Sequence, residues 1–426
     1  MRSTRGPGAR FALRAAAVAL LAAAARPAAA EPELLGWERC EAIAGAANPD
    51  LSSARFSLES SRAAFYQSFN AVMPQVNLSN SLNEGRIMPV YRWSAQATAS
   101  INLFDASSIA DIRAASAAVS VNEANLRKAS ADLRQSLRSA FTHLLFAQES
   151  VKVARLVSDL RESAAGQIAL RYNSGTEAKG DKMLADAQAL QARLSIVAAE
   201  RDLRAAQREL AQRLGREEYE NFVASGTLGA AAPPPRPEDL RSLLALQPEV
   251  VIAQAQARQA GVGVERAESS LWPSLTGDYV RALIGPAELP RASYGWNAGL
   301  TLSYPLFAGG PTSTWFGTKA AKRALDAAEM NLSSARVAGI TSLESAWASY
   351  ADAVDQVQIQ EALLAADRQR NDEADIEYRS GLLIYANWEV IASARISEES
   401  QMINALRSVM DAETSWNRAL GRALGE

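Results

Sequence analysis

The chain offers little with which to make or break bonds. Its 426 residues include one histidine, His143, and one cysteine, Cys40. A serine or cysteine nucleophile needs a base within hydrogen-bond reach. His143 lies on a helical stretch among Phe141, Leu144 and Leu145 and reads as a packing residue. His/Met clusters that would hold soft metals are absent, and a single thiol excludes an internal disulfide framework. Gly309-Gly310-Pro311 lacks the spacing of a phosphate-binding loop and reads as the joint between a strand and a helix. Asn77-Leu78-Ser79 fits a glycosylation triplet but falls inside a predicted strand. The expectation is a protein that is not an enzyme and uses neither cofactor nor metal. Any work it takes part in must be driven by a partner.

The distinctive chemistry is instead a duplicated phrase. Arg171-Tyr172-Asn173-Ser174-Gly175-Thr176 and Glu377-Tyr378-Arg379-Ser380-Gly381-Leu382 each sit between two long Ala-rich segments of helical spacing. Each reads as the tip of a helical hairpin, with the glycine in the left-handed turn position. At the same offset of about 206 residues, Ser139-Ala140-Phe141 matches Ser345-Ala346-Trp347, and Leu214-Gly215-Arg216 matches Leu420-Gly421-Arg422. The offset slips to about 203 for Leu103-Phe104-Asp105 and Leu306-Phe307-Ala308, then to about 199 for Asn48-Pro49 and Gln247-Pro248. Ordered landmarks with small slips in the loops are what duplication followed by drift leaves behind.

Before the first copy, residues 1–30 carry a basic start, an apolar run from Ala15 to Ala25 and a small-residue end at Ala28-Ala29-Ala30. This is the pattern of a secretory signal cleaved before Glu31. The leader holds five arginines and no acid, so its removal takes the formal charge from −3 to −8. An acidic exported chain is a poor nucleic-acid binder. Cys40 lies about ten residues past the cut, which argues against lipid attachment there. The copies span 31–216 and 247–426, joined across 217–246 by a Pro-rich connection read as an irregular belt around Pro233-Pro234-Pro235.

Each copy reads as helix, strand, strand, long helix, returning helix. Pro49 opens a helix and Pro74 stops it, after which the period becomes two. Strands are expected near 75–83, 92–102, 274–282 and 294–304, with hairpins over 105–214 and 312–421. In the second strand Tyr91, Trp93, Ala95, Ala97, Ala99 and Ile101 share one face; in the fourth, Tyr294, Trp296, Ala298, Leu300, Leu302 and Tyr304 do. A soluble sheet with one wet face shows the same alternation. Strand lengths of about 9–11 residues, and Tyr91, Trp93, Tyr294, Trp296, Tyr304 and Phe307 near strand ends as an interfacial girdle, favour a membrane barrel. Four strands cannot close, and lipid forbids an open sheet edge. Several copies must therefore pool strands, three giving a twelve-stranded barrel.

Asp105 to Tyr172 and Thr312 to Tyr378 are each long enough for a helix of roughly 100 Å. Ile340, Leu343, Trp347, Tyr350, Val354 and Val357 recur in steps of three and four, the seam of a coiled coil.

With these elements the mature chain resembles an outer-membrane factor of the TolC family over essentially 31–426. The features that carry the resemblance are the duplicated Pro-then-strand pattern, the Leu-x-Phe step from strand to helix and the Tyr-x-x-Gly tips. The resemblance implies a homotrimer with a twelve-stranded β-barrel, four strands per chain, continuing into a long α-helical periplasmic tunnel. It further implies an exit channel of a tripartite efflux or type I secretion system in the Gram-negative outer membrane. Such a channel passively conducts substrate delivered by a periplasmic adaptor and an inner-membrane pump of RND or ABC type. By the same resemblance, Asp181 and Tyr378 belong to the closed periplasmic entrance and meet across neighbouring hairpins, while Gly175, Thr176, Gly381 and Leu382 dock the adaptor. Leu383 stands where the family has an arginine, and Asn387 and Val390 where it has selectivity aspartates; Glu389 lies close by on another helical face. A ring of Asp181 side chains would attract cations, although Asp181 beside Lys179 and Lys182 also reads as a solvated hairpin acid. Two other classes remain open: a periplasmic adaptor, which should have one hairpin with lipoyl-like β modules, and a non-conducting adhesive coiled-coil protein.

Overall fold

A computed structural model describes residues 33–83, 92–217, 222–229, 232–286, 293–304 and 311–425. The expected secretory leader, the loop at Gly85-Arg86, the Gly309-Gly310 joint, Tyr91 and Phe307 lie outside the described residues. The chain divides into two compact units, one of residues 1–40 and 140–228 and the other of 41–139 and 229–426.

In the second unit, among the described residues, four strands form one antiparallel sheet of order β2-β3-β5-β6: β2 (Gln75–Asn83), β3 (Arg92–Asp105), β5 (Ser274–Pro286) and β6 (Ser293–Ser303). The central pairing, β3 with β5, joins a strand of the first copy to one of the second, and β2 and β6 are left as the edges. Pro74 precedes β2 and Pro273 precedes β5, so each preceding helix stops there and extended backbone begins. Helix α2 (Pro49–Ser68) leads towards β2; its N-cap Asn48 accepts hydrogen bonds from the Asp50 and Leu51 amides at 2.9 and 3.1 Å.

At the other end of β3, Asp105 caps helix α3 (Ala106–Asn173, 68 residues), accepting from the Ser107 and Ser108 amides at 3.0 and 3.3 Å and from both hydroxyls. Helix α5 (Pro248–Ser269) leads into β5. Helix α6 (Pro311–Ser380, 70 residues) is roughly 105 Å long and packs against the returning α7 (Tyr385–Ala419). Their seam buries Leu343, Tyr350 and Val357 of α6 with Val409, Trp416 and Ala419 of α7, while Ile340, Trp347 and Val354 pack at its margin. The stripe read from the sequence is this seam.

Gln247 matches Asn48 in the duplication but has a different job. Its side-chain amide donates to the Gly339 and Ala419 carbonyls at 3.2 and 2.9 Å, tying the start of α5 to both α6 and α7. The Pro-rich connection is fastened to α6: the Trp347 indole donates to the Pro234 carbonyl at 3.0 Å, and Arg236 pairs with Glu344.

In the first unit, the later part of α3 runs antiparallel to α4 (Lys179–Leu214), bridged by His143–Glu209, Arg155–Glu200 and Glu162–Arg193 at 2.7, 3.1 and 2.6 Å. His143 is therefore a cross-hairpin hydrogen-bonding residue rather than a purely apolar packing one. Two short strands, β1 (Glu33–Leu35) and β4 (Phe222–Ala224), pair in parallel. Helix α1 (Trp37–Ala47) begins next to them, with Trp37 edge-on to Phe141 at 5.9 Å. The 217–246 stretch thus contains a strand and a helical turn at Leu240–Leu243, and is less irregular than its composition implies.

Candidate functional site

The sheet presents two unlike faces, and the register defines both. Val76, Ala99, Tyr279 and Ala298 lie in one cross-strand row, and Leu78, Ala97, Arg281 and Trp296 in the next. With Ile101, Leu300 and Leu302 they make one face that is apolar apart from Asn80 and Arg281. Leu78 is 84% and Leu300 72% exposed, so among the described residues this face is left uncovered there. The opposite face carries Asn77, Ser79, Ser81, Ser94, Gln96, Thr98, Asp278, Asn297 and Thr301. The Ser81 and Ser94 hydroxyls meet there across β2 and β3 at 2.8 Å. An exposed apolar face backed by a polar one suits a wall with hydrocarbon on one side and water on the other.

The alternation weakens in the far half of β5, where Val280 and Ala282 fall on the polar face and Arg281 on the apolar one. That strand also runs on to Pro286, past the end expected near 282.

Of the aromatic residues expected in a girdle, Trp296 lies on the apolar face, 74% exposed, and Tyr304 follows the end of β6, 59% exposed. Trp93 and Tyr294 lie in β3 and β6, and their side chains are outside the described set.

The hairpin tips are built by one rule, used twice. Gly175 and Gly381 have φ of +79° and +78°. In the first tip the Gly175 amide donates to the Tyr172 carbonyl and that of Thr176 to Arg171, both at 3.0 Å. In the second, Gly381 donates to Tyr378 at 3.1 Å and Leu382 to Glu377 at 2.9 Å. This pair of hydrogen bonds closes each long helix on a left-handed glycine. Gly215 and Gly421 end the returning helices in the same way, with φ of +77° and +74°.

The tips differ in chemistry. In the first, the Ser174 and Thr176 hydroxyls turn back onto the Arg171 carbonyl. In the second, Leu382 is 81% exposed and Ile384 lies exposed beside it. Asp181 stands half-buried in the first turn of α4, where the helix dipole favours a carboxylate. Asn387 and Val390 are exposed one turn apart on α7, and Glu389 accepts from the Ser393 hydroxyl at 2.6 Å.

Tyr378 is 1% exposed and packs inside its own hairpin, stacked on Trp388 with centroids 5.1 Å apart and flanked by Tyr385. The Trp388 indole donates to Asp375 at 2.5 Å. Tyr378 and Asp181 belong to different units. Tyr385 and Trp388 escaped the sequence reading, although both stand within ten residues of Tyr378 across the turn. No group of three or more metal-ligating side chains occurs among the described residues, and no described helix is long and apolar enough to cross a membrane.

The model of a family described as outer membrane efflux protein matches residues 43–216 and 240–422. The cobalt-zinc-cadmium resistance protein CzcC of Cupriavidus metallidurans is 28% identical over 247 residues, which is 57% of this chain and 57% of that relative's length. Among solved structures, CusC superposes with a TM-score of 0.82 at 17% identity, covering 90% of this chain and 91% of its own. The open state of the Neisseria gonorrhoeae MtrE outer membrane channel gives 0.78 at 17% identity, covering 91% and 89%. At these identities the structural likeness establishes the fold.

Proposed function

The chain belongs to the outer membrane efflux protein family, and on that premise we propose that three copies pool their four-stranded sheets into one twelve-stranded barrel. The barrel leads into a helical tunnel that conducts substrate passively out of the periplasm. The observation that carries this reading is the sheet with one apolar and one polar face and free edges at β2 and β6. Lipid leaves no open edge unsatisfied, and four strands enclose nothing. The apolar face meets lipid, the polar face lines water, and the helices lie on the periplasmic side.

The hairpin tips form the periplasmic entrance, where a periplasmic adaptor docks on Gly175, Thr176, Gly381 and Leu382 and an inner-membrane pump of RND or ABC type supplies the energy. Asp181, Asn387 and Glu389 set the field at the mouth, and Tyr378 holds the second tip in shape through Trp388. The name of the relative CzcC makes cobalt, zinc and cadmium ions the first cargo to test. A strain lacking this gene should gain sensitivity to those ions rather than to organic drugs. The channel itself is tested by reconstituting purified protein in planar bilayers. Stepwise conductance is expected; a protein that binds vesicles but never conducts would leave only a structural or adhesive role.

A further inference from the structure

We infer that Arg281 and Trp296 form a binding site for an anionic lipid headgroup in the membrane leaflet farther from the helices, an inference that rests on the barrel reading above. Arg281 sits between Ala97 and Trp296 in one cross-strand row of the apolar face. Among the described residues it is the one charged side chain on that face, and no acidic residue shares the face with it. Asp278 projects from the opposite face. A guanidinium cannot shed its proton to suit an apolar setting, so it must find an anion or reach water.

Depth decides which membrane surface it reaches. Strand β5 starts at Ser274, next to the helices, and Arg281 is seven residues further on. At roughly 3.3 Å per residue and a tilt of about 40°, that is roughly 18 Å along the membrane normal in an apolar band about 25 Å tall. The side chain therefore lies in the far third, within snorkelling reach of the far headgroups. Trp296 beside it is 74% exposed, and an indole prefers that same boundary. On the other flank Ala97 is small, so the guanidinium has room to lie along the sheet and offer a lipid phosphate two parallel N–H donors.

The test uses the full-length protein and its Arg281→Gln, Arg281→Lys and Arg281→Cys variants. Native mass spectrometry would count phosphatidylglycerol retained in a neutral detergent, with phosphatidylcholine and inorganic phosphate as separate arms. The wild type should retain phosphatidylglycerol, Arg281→Gln should bind it at least tenfold more weakly, and Arg281→Lys should fall between. Retention of inorganic phosphate in place of lipid, or equal phosphatidylglycerol retention by wild type and Arg281→Gln, would overturn the site. Arg281→Cys should resist a charged thiol reagent in the reconstituted protein; labelling that blocks conductance would place the residue in the lumen and also overturn it. Planar-bilayer conductance of the same samples separates the two failures. Variants that conduct but keep their lipid sink this site alone, whereas a wild type that never conducts sinks the barrel reading with it.

Discussion

Tyr378 stacks on Trp388 with 22° between the ring planes, whereas the matching tyrosine of the first copy, Tyr172, lies beneath the Lys182 ammonium at 5.9 Å. Tyr172 is exposed and Tyr378 buried, so duplicated backbones carry one soft tip and one clamped tip. Trp388→Ala should remove the stack and the bond to Asp375 together. Truncating a buried tryptophan costs about 3–5 kcal/mol of local packing. The expected result is faster proteolytic nicking near Gly381 and a higher resting conductance, with Trp388→Phe intermediate. Unchanged nicking and conductance in Trp388→Ala would show that the stack does not hold the tip.

Glycines of like dihedral should differ in tolerance. A Cβ at Gly421 would collide with the Leu246 carbonyl, whereas one at Gly381 meets nothing within 4 Å. Gly381→Ala should cost only the left-handed backbone penalty of about 1–2 kcal/mol. Gly421→Ala adds overpacking against rigid backbone, for about 3 kcal/mol or more in all. Thermal unfolding followed by circular dichroism should rank them in that order.

Arg418 sits between Asp132, at 2.7 Å, and Glu249. Burial opposes ionisation of Asp132, but hydrogen bonding from Lys128 and the charge of Arg418 outweigh it and hold the carboxyl below its ordinary value. For Glu249 burial likewise opposes, and the Arg418 hydrogen bond wins. Folded-state values below the unfolded ones mean that this stabilisation is complete above the carboxylate range near pH 4 and is lost as the pH falls through it. Arg418→Gln should melt lower than wild type at pH 7, with the gap closing below about pH 4.

At the mouth, three copies of Asp181 should favour cations. Asp181→Asn should lower the cation-to-anion permeability ratio, and Asn387→Asp should raise it. Reversal potentials in a salt gradient measure both, and a ratio unmoved by either change removes these residues from the conduction path.

Much of the fold was legible in the sequence where one periodic signal dominates. The alternation from Ala95 to Ile101 and from Trp296 to Leu302 defined strands and faces before any pairing was known. Tip glycines were legible because a left-handed residue after a long helix has few substitutes. What escaped was non-local or too short to show a period. Strands β1 and β4 have three residues each. The tie that Gln247 makes was not legible because its partners, Gly339 and Ala419, are distant in sequence. The Tyr378 stack was not legible because Trp388 reaches the ring only once the turn at Gly381 folds α7 back on α6, and no periodic signal spans that turn.

The central claim, that copies complete one another's sheets edge to edge, is best tested by disulfide trapping of β2 against β6. Cys40 can stay in place: burial, helped by nearby Glu33, pushes its thiol up to about 11, so it remains protonated and unreactive. Ser79→Cys would be combined in turn with Asn297→Cys, Gly299→Cys or Thr301→Cys, all on the polar face. At least one pair should give a covalent ladder ending at three chains, absent from each single mutant. Monomer alone from every pair, or a ladder running past three, would contradict the account.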